Sequence, residues 1–245
     1  MDDSENLSKL LGHLPLADFR SFLVDHFGLE VPELDTGAAK KAQRACLESY
    51  LSSLNQPARQ KLEEVAEEIV LLSDGPGQDV IDGFRQDLFD DGARAEFNGI
   101  PNQYARAVWL CINEPALFKE ALSARQADVF RQSVSCYSGY VAPVDLTVLN
   151  DPASRQAFHE AIAQQHGCQV GEVAVEIFKR MRPDAQTGDD VELYQVSVYH
   201  NRAPEIVDCV HESELVHQEV IRATATHITY EPANGHLEVL SKSTD

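Results

Sequence analysis

Apolar residues recur at helical spacing through the first half of the chain. Between residues 15 and 27, Leu16, Phe19, Phe22, Leu23 and His26 share one helical face, with Pro15 suited to the first turn and Gly28 to the stop. A weaker helix is predicted over 38–53, with Ala42, Cys46 and Leu51 inward. Asn55 and Pro57 then open a helix running to about Leu72, striped by Leu62, Val65, Ala66, Ile69 and Val70 and broken by Asp74-Gly75-Pro76-Gly77. Residues 78–89 repeat the pattern with Val80, Ile81, Phe84 and Leu88, and residues 90–101 read as a loop. Tyr104, Val108, Trp109, Cys111 and Ile112 leave little polar surface and make 102–112 the most buried helix expected. Asn113 reads as the cap of the next, with Pro115 in its first turn and Leu117, Phe118, Ala121 and Leu122 inward, followed by a second short helix around Val129 and Phe130.

The period changes after Arg131. Residues 134–149 are rich in β-branched and aromatic side chains but contain Gly139 and Pro143, which suits a linker or an edge strand. Asp151-Pro152 caps one further helix to about Gln165, and Gly167 ends it. Alternation takes over from there. Strands are predicted from Val173 to Met181, from Val191 to Tyr199, around Ile206, Val207 and Val210, and from Val220 to Tyr230. Pro183 to Asp190 is a polar turn, and Pro232-Ala233-Asn234-Gly235 is a hairpin turn returning through His236 to Leu240. No helices alternate with these strands, so a parallel βαβ sheet is not expected. The expectation is an α+β protein: a helical domain over 1–135, then an α+β domain over 136–245 with one helix and an antiparallel β-meander.

Three segments taken together resemble a group of uncharacterised bacterial proteins, usually longer than this chain. They are Arg106–Leu110 with Pro115–Phe118, Val175–Pro183, and Ile228–Val239. The resemblance covers roughly residues 100–240 and rests on structural motifs, a buried helix and a hairpin. It implies a bacterial origin and carries no activity and no functional residue. A strand reaching Leu240 with only five residues after it also fits the N-terminal part of a longer protein.

Composition narrows the classes. The 245 residues are 43% hydrophobic and 24% charged, as in an ordinary globular chain. The net charge of −20 is spread along the chain: residues 1–140 hold 23 acids and 13 bases, and residues 141–245 hold 17 and 7. Such a surface repels nucleic-acid phosphates and anionic membranes and steers a basic protein partner inward. Cys46, Cys111, Cys136, Cys168 and Cys209 are odd in number and widely spaced, which is neither a disulfide framework nor a zinc pattern. Met1 is followed by Asp2, Asp3, Ser4 and Glu5, unlike a signal peptide, and no apolar run approaches the roughly 18 residues of a membrane span. A cytoplasmic protein is expected.

Candidate chemistry is sparse. His166, His200, His211, His217, His227 and His236, with Cys168 and Cys209, could assemble a zinc site across strands, but HxH, CxxC and HExxH are all absent, and an isolated histidine on a strand reads as a rim residue. A metal-dependent nuclease would need an acid at a strand end and a Glu-x-Lys on the next strand. Asp184 is followed by Glu192 without that lysine, and Glu176 to Lys179 has one residue too many. Asp82, Asp87, Asp90 and Asp91 lack the order of a calcium loop. There is no G-x-S-x-G elbow and no phosphate-binding glycine loop. Ser138-Gly139 has no histidine near it in sequence, and Cys111 beside Trp109 reads as core. No catalytic residue is assigned, and neither a metal nor a cofactor is expected.

The remaining candidate is a dense aromatic stripe, Phe19, Phe22 and Phe27, which is either core or an interaction surface. Three functions follow. The first is a non-enzymatic protein–protein interaction or regulatory subunit of a bacterial multi-component system, of accessory or defence type, binding a protein partner or itself. The second is a metal-dependent hydrolase or nuclease gathering at least three of Asp184, Asp190, Glu192, His200, His211 and His227. The third is an acidic mimic that occupies a basic nucleic-acid-binding protein.

Overall fold

The computed structural model describes residues 5–84, 91–183, 188–211 and 214–242, without the side chain of His211. Leu88, Asp87, Asp90 and Asp184 lie outside the described residues. The chain divides into two compact units, residues 1–125 and 126–245. The division falls within a helix, ahead of the 135/136 boundary expected above.

The first unit is helical: α1 (Glu5–His13), α2 (Leu16–Ser21), α3 (Lys40–Ser53), α4 (Gln56–Leu72), α5 (Gly75–Phe84), α6 (Asp91–Asn98), α7 (Gln103–Asn113) and the start of α8 (Pro115–Arg131). The Glu63 carboxylate accepts from the Asn6 and Leu7 N–H groups at 2.7 and 3.0 Å and so fills the open N-terminus of α1. The Asn55 side chain caps α4 through the Ala58 N–H, as its sequence predicts. The expected helix over 15–27 is α2 followed by a π-turn over Phe22–His26, and Gly28 ends it at φ 64°.

The pattern predicts no helix over α1, and three expectations for this part of the chain need correction. In α3 the fully buried residue is Leu47, while Ala42 is exposed. Residues 91–98 are helical rather than a loop. Only Phe97 marks a buried face there; it packs against Trp109 at 5.5 Å, and the Trp109 indole N–H donates to Glu96 at 2.9 Å, so tertiary contacts hold a segment with weak helical periodicity. Asn113 is the last residue of α7, its amide donating back to the Trp109 carbonyl at 2.9 Å, and α8 runs unbroken through Val129 and Phe130.

The second unit contains the end of α8, then β1 (Tyr137–Val141), α9 (Pro152–His166), β2 (Val173–Pro183), β3 (Asp190–Asn201), β4 (Glu205–His211), β5 (Glu214–Val220), β6 (Ala223–Glu231) and β7 (His236–Ser241). Five strands form an antiparallel sheet in the order β1-β7-β6-β3-β2, so residues 134–149 do supply an edge strand. Asp151 caps α9 through the Ala153 and Ser154 N–H groups, and Gly167 ends it at φ 65°. On one face of the sheet Ala163 of α9 packs with Val173, Val175 and Val198; on the other, Ala127 and Phe130 of α8 pack with Ala225 and Leu240. The predicted strand from Val220 to Tyr230 is in fact two. Its first residue ends β5, which pairs with β4 in a separate two-stranded ribbon inserted between β3 and β6. The Arg202 N–H donates to the Arg222 carbonyl at 2.8 Å at the base of that ribbon.

The predicted β6–β7 turn closes on Gly235 at φ 71°. A Cβ there would lie 2.1 Å from the Ala142 carbonyl oxygen. Both the backbone angle and the close approach of residue 142 require glycine.

Candidate functional site

The alternation that makes β2, β3, β6 and β7 a sheet also selects which side chains meet beneath α8. Arg180 and Arg182 of β2, Gln195 and Ser197 of β3, His227, Thr229 and Glu231 of β6, and Glu238 of β7 are all buried. Cross-strand pairing sets Ser197 opposite His227 and Thr229 opposite Glu238. Burying charge is costly unless it is paired and hydrogen-bonded, and here the pairs close. Arg180 reaches both carboxylate oxygens of Asp128 in α8 at 2.7 and 3.1 Å. Arg182 bridges Glu231 and Glu238, its bond to Glu238 measuring 2.9 Å. Glu238 also accepts from Thr229 at 2.7 Å and from Arg131 at 2.9 Å. Three arginines face three carboxylates. Burial alone would push the Glu238 carboxyl upward, but Arg182, the Thr229 hydroxyl and Arg131 outweigh it and hold it below its ordinary value.

A polar chain leads from this cluster to a histidine. Arg180 Nε donates to Gln195 Oε1 at 2.9 Å, Gln195 Nε2 donates to Ser197 Oγ at 3.1 Å, and Ser197 Oγ lies 2.8 Å from His227 Nδ1. Either group can donate in that contact, according to the imidazole tautomer, and the ring's Nε2 has no hydrogen-bond partner among the described residues. Burial, reinforced by the nearby Arg180 charge, pushes His227 down to about 4. The imidazole is therefore a neutral, weak base at physiological pH. A serine against a histidine suggests a nucleophile, but both residues are fully buried, with Phe130 and Tyr199 against the imidazole. No substrate reaches the hydroxyl in this conformation. The arrangement organises a core. The expectation that an isolated histidine on a strand is a rim residue is corrected here: His227 is fully buried, and its partner Ser197 comes from the neighbouring strand.

Among the described residues, the dispersed acids and histidines do not converge. Glu192 and His200 project from the same face of β3 but are eight residues apart, roughly 27 Å along the strand. Glu192 pairs with Lys179 at 2.9 Å, His200 stacks on His166 with ring centroids 3.7 Å apart, and His227 lies on the opposite sheet face. Asp184 and the His211 side chain are outside the described residues. Among the described residues, no three His, Cys, Asp or Glu side chains are placed to share a metal ion. Cys111 is buried and its thiol is pushed up to about 12 by burial and by Glu68, so it is inert at neutral pH.

The aromatic stripe is mostly core. Phe19 and Phe22 are fully buried, so the candidate interaction surface Phe19, Phe22 and Phe27 does not exist as an exposed patch; only Phe27 is partly open, edge-on to Phe22 at 5.3 Å. The π-turn draws Phe22 inward. Phe22 does form one wall of an apolar cavity of about 240 Å³, with Leu14, Ile100, Val108, Trp109 and Ile112.

Exposed apolar surface lies elsewhere. On one face of the β4–β5 ribbon, Ile206, Val210 and Leu215 are 74%, 75% and 65% exposed. Register places Val210 opposite Leu215 and Asp208 opposite His217, whose ring nitrogen lies 2.6 Å from the carboxylate. Asp208 and Glu219 share that face, while Glu205, paired to Arg222, and Glu214 lie on the other. The alternation of Ile206 and Val210 was visible in the sequence, but the second strand that makes them a freestanding ribbon was not.

No helix among the described residues is long and apolar enough to cross a membrane. No family model, curated protein or solved structure matches the chain.

Proposed function

We infer that this protein is a non-enzymatic interaction module, a regulatory subunit of a bacterial multi-component system, and that its second unit binds a basic protein partner through the β4–β5 ribbon. The observation that carries this reading is the exposure of the Val210–Leu215 pair and of Ile206 on one face of a two-stranded sheet, with the Asp208–His217 pair between them. An isolated two-stranded ribbon is marginal in water, and large aliphatic side chains left exposed on it are what a partner covers. The acids around them favour a partner that sets basic residues around an apolar centre, and the charge of −20 attracts such a partner at long range. The hydrolase alternative is disfavoured because its candidate residues diverge, and the one serine–histidine contact described above is sealed.

The test is site-specific photo-crosslinking in the source cells from position 210 or 215, with position 48 on exposed α3 as control. The expected result is one adduct specific to the ribbon, formed by a basic protein that, once purified, binds directly, more weakly as salt rises, and loses binding with Val210→Asp. A ribbon that cross-links no more than position 48, or an adduct that does not bind when purified, contradicts the reading.

A further inference from the structure

The five-stranded sheet has two edges, and they are built differently. At one edge, β2 carries Glu176, Lys179, Arg180 and Arg182 and ends on Pro183. Charges on an edge strand, charges turned inward and proline are the devices by which proteins stop an open edge from pairing with another chain. The opposite edge, β1, has none of them. From Gln132 to Val144 the sequence contains no Asp, Glu, Lys or Arg, in a chain that is 24% charged. Every residue of β1 is exposed, Val141 at 90%.

The hydrogen-bond register shows what this edge offers. The Ser241 N–H donates to the Cys136 carbonyl and the Ala142 N–H to the Gly235 carbonyl, at 2.9 and 2.8 Å. Bonded and non-bonded pairs alternate in an antiparallel ladder, so the even-numbered residues of β1 bond to β7. The N–H and C=O groups of Tyr137, Gly139 and Val141 therefore point away from the sheet.

We propose that the β1 edge pairs with the β1 edge of a second copy of this chain, antiparallel about a two-fold axis at Gly139, joining two five-stranded sheets into one. In that register Gly139 faces Gly139 of the second copy and Tyr137 faces its Val141, so all three outward residues bond. Electrostatics select the occupant. A basic partner would be met by acids, as on the ribbon, and β1 has none. Two chains of charge −20 meet with least repulsion where the local surface carries no charge, as along residues 132–144. Pairing about a two-fold axis also closes the assembly at two copies, whereas a head-to-tail contact would propagate.

The test is light scattering on the purified full chain across the micromolar range, with three variants. Gly139→Pro removes an outward donor while leaving the bonds to β7, since proline is tolerated on an edge strand where its missing N–H faces solvent. Val141→Lys puts a solvated charge on the edge that would pair, a device that keeps edge strands open. Val210→Asp alters only the ribbon. The expected result is a mass rising from one chain to two for the wild type and for Val210→Asp, and staying at one for Gly139→Pro and Val141→Lys, both with wild-type circular dichroism. If Gly139→Pro misfolds, Val141→Lys alone decides. A wild type that stays monomeric, or a dimer that survives Val141→Lys, overturns the proposal. A dimer lost in Val210→Asp also overturns it, by moving self-association to the ribbon. Failure of the ribbon's basic partner to bind would leave this result unchanged.

Discussion

At the scale of single residues, His227 shows how burial turns an ordinary side chain into a pH-dependent element. Its folded-state value of about 4 lies below the roughly 6.5 of a free imidazole. Above pH 6.5 both folded and unfolded chains hold it neutral, and it costs nothing. Between 6.5 and 4 the unfolded chain takes up a proton that the folded chain refuses, so stability falls as pH falls; below 4 the loss is complete. The total is about 3 kcal/mol. Urea midpoints of the second unit's transition should therefore drop across this window in the wild type, and His227→Phe should flatten the drop. A wild-type profile as flat as the variant's would show that the ring is protonated in the fold. The role of His227 is hidden in the sequence because its partners come from other strands: Ser197 and Gln195 from β3 and Arg180 from β2.

At the scale of elements, the legible parts were those with local signals. Asn55 and Asp151 cap as read, Gly28 and Gly167 stop their helices, and the Asn234-Gly235 turn closes its hairpin, because each is decided within a few residues of chain. The illegible parts depend on distant partners. The helix α6 needs Trp109, and α1 needs Glu63. The break between β5 and β6 at Ile221 and Arg222 sits inside an unbroken β-branched alternation, so only strand pairing reveals it. The aromatic stripe was read in the right place, but whether it faces core or solvent depends on packing that the period alone does not show. The arginine cluster gives this scale its own prediction. Arg182 neutralises two buried carboxylates, so Arg182→Leu leaves Glu231 and Glu238 facing each other without their shared cation. A loss of about 3–5 kcal/mol is expected by denaturant unfolding. A loss below 1 kcal/mol would mean that water already enters the cluster.

At the scale of the whole molecule, charge and exposed apolar surface divide the possible functions. The acidity is spread along the chain, which weakens mimicry of nucleic acid, a role that needs charge concentrated on one face. It leaves nucleic acid and anionic membranes repelled and basic proteins favoured. Within the second unit Arg180, Arg182, Glu231 and Glu238 are buried and ion-paired, while Ile206, Val210 and Leu215 are exposed. The central claim is that this protein acts through the surface of its ribbon and not through its buried serine–histidine contact. The most direct test is the affinity of the purified cross-linked partner for the wild type, Val210→Asp and Ser197→Ala, by titration calorimetry. The account predicts about a 30-fold loss or more for Val210→Asp, the scale of an interface hot spot, and an unchanged affinity for Ser197→Ala. Binding that survives Val210→Asp but falls with Ser197→Ala would contradict it.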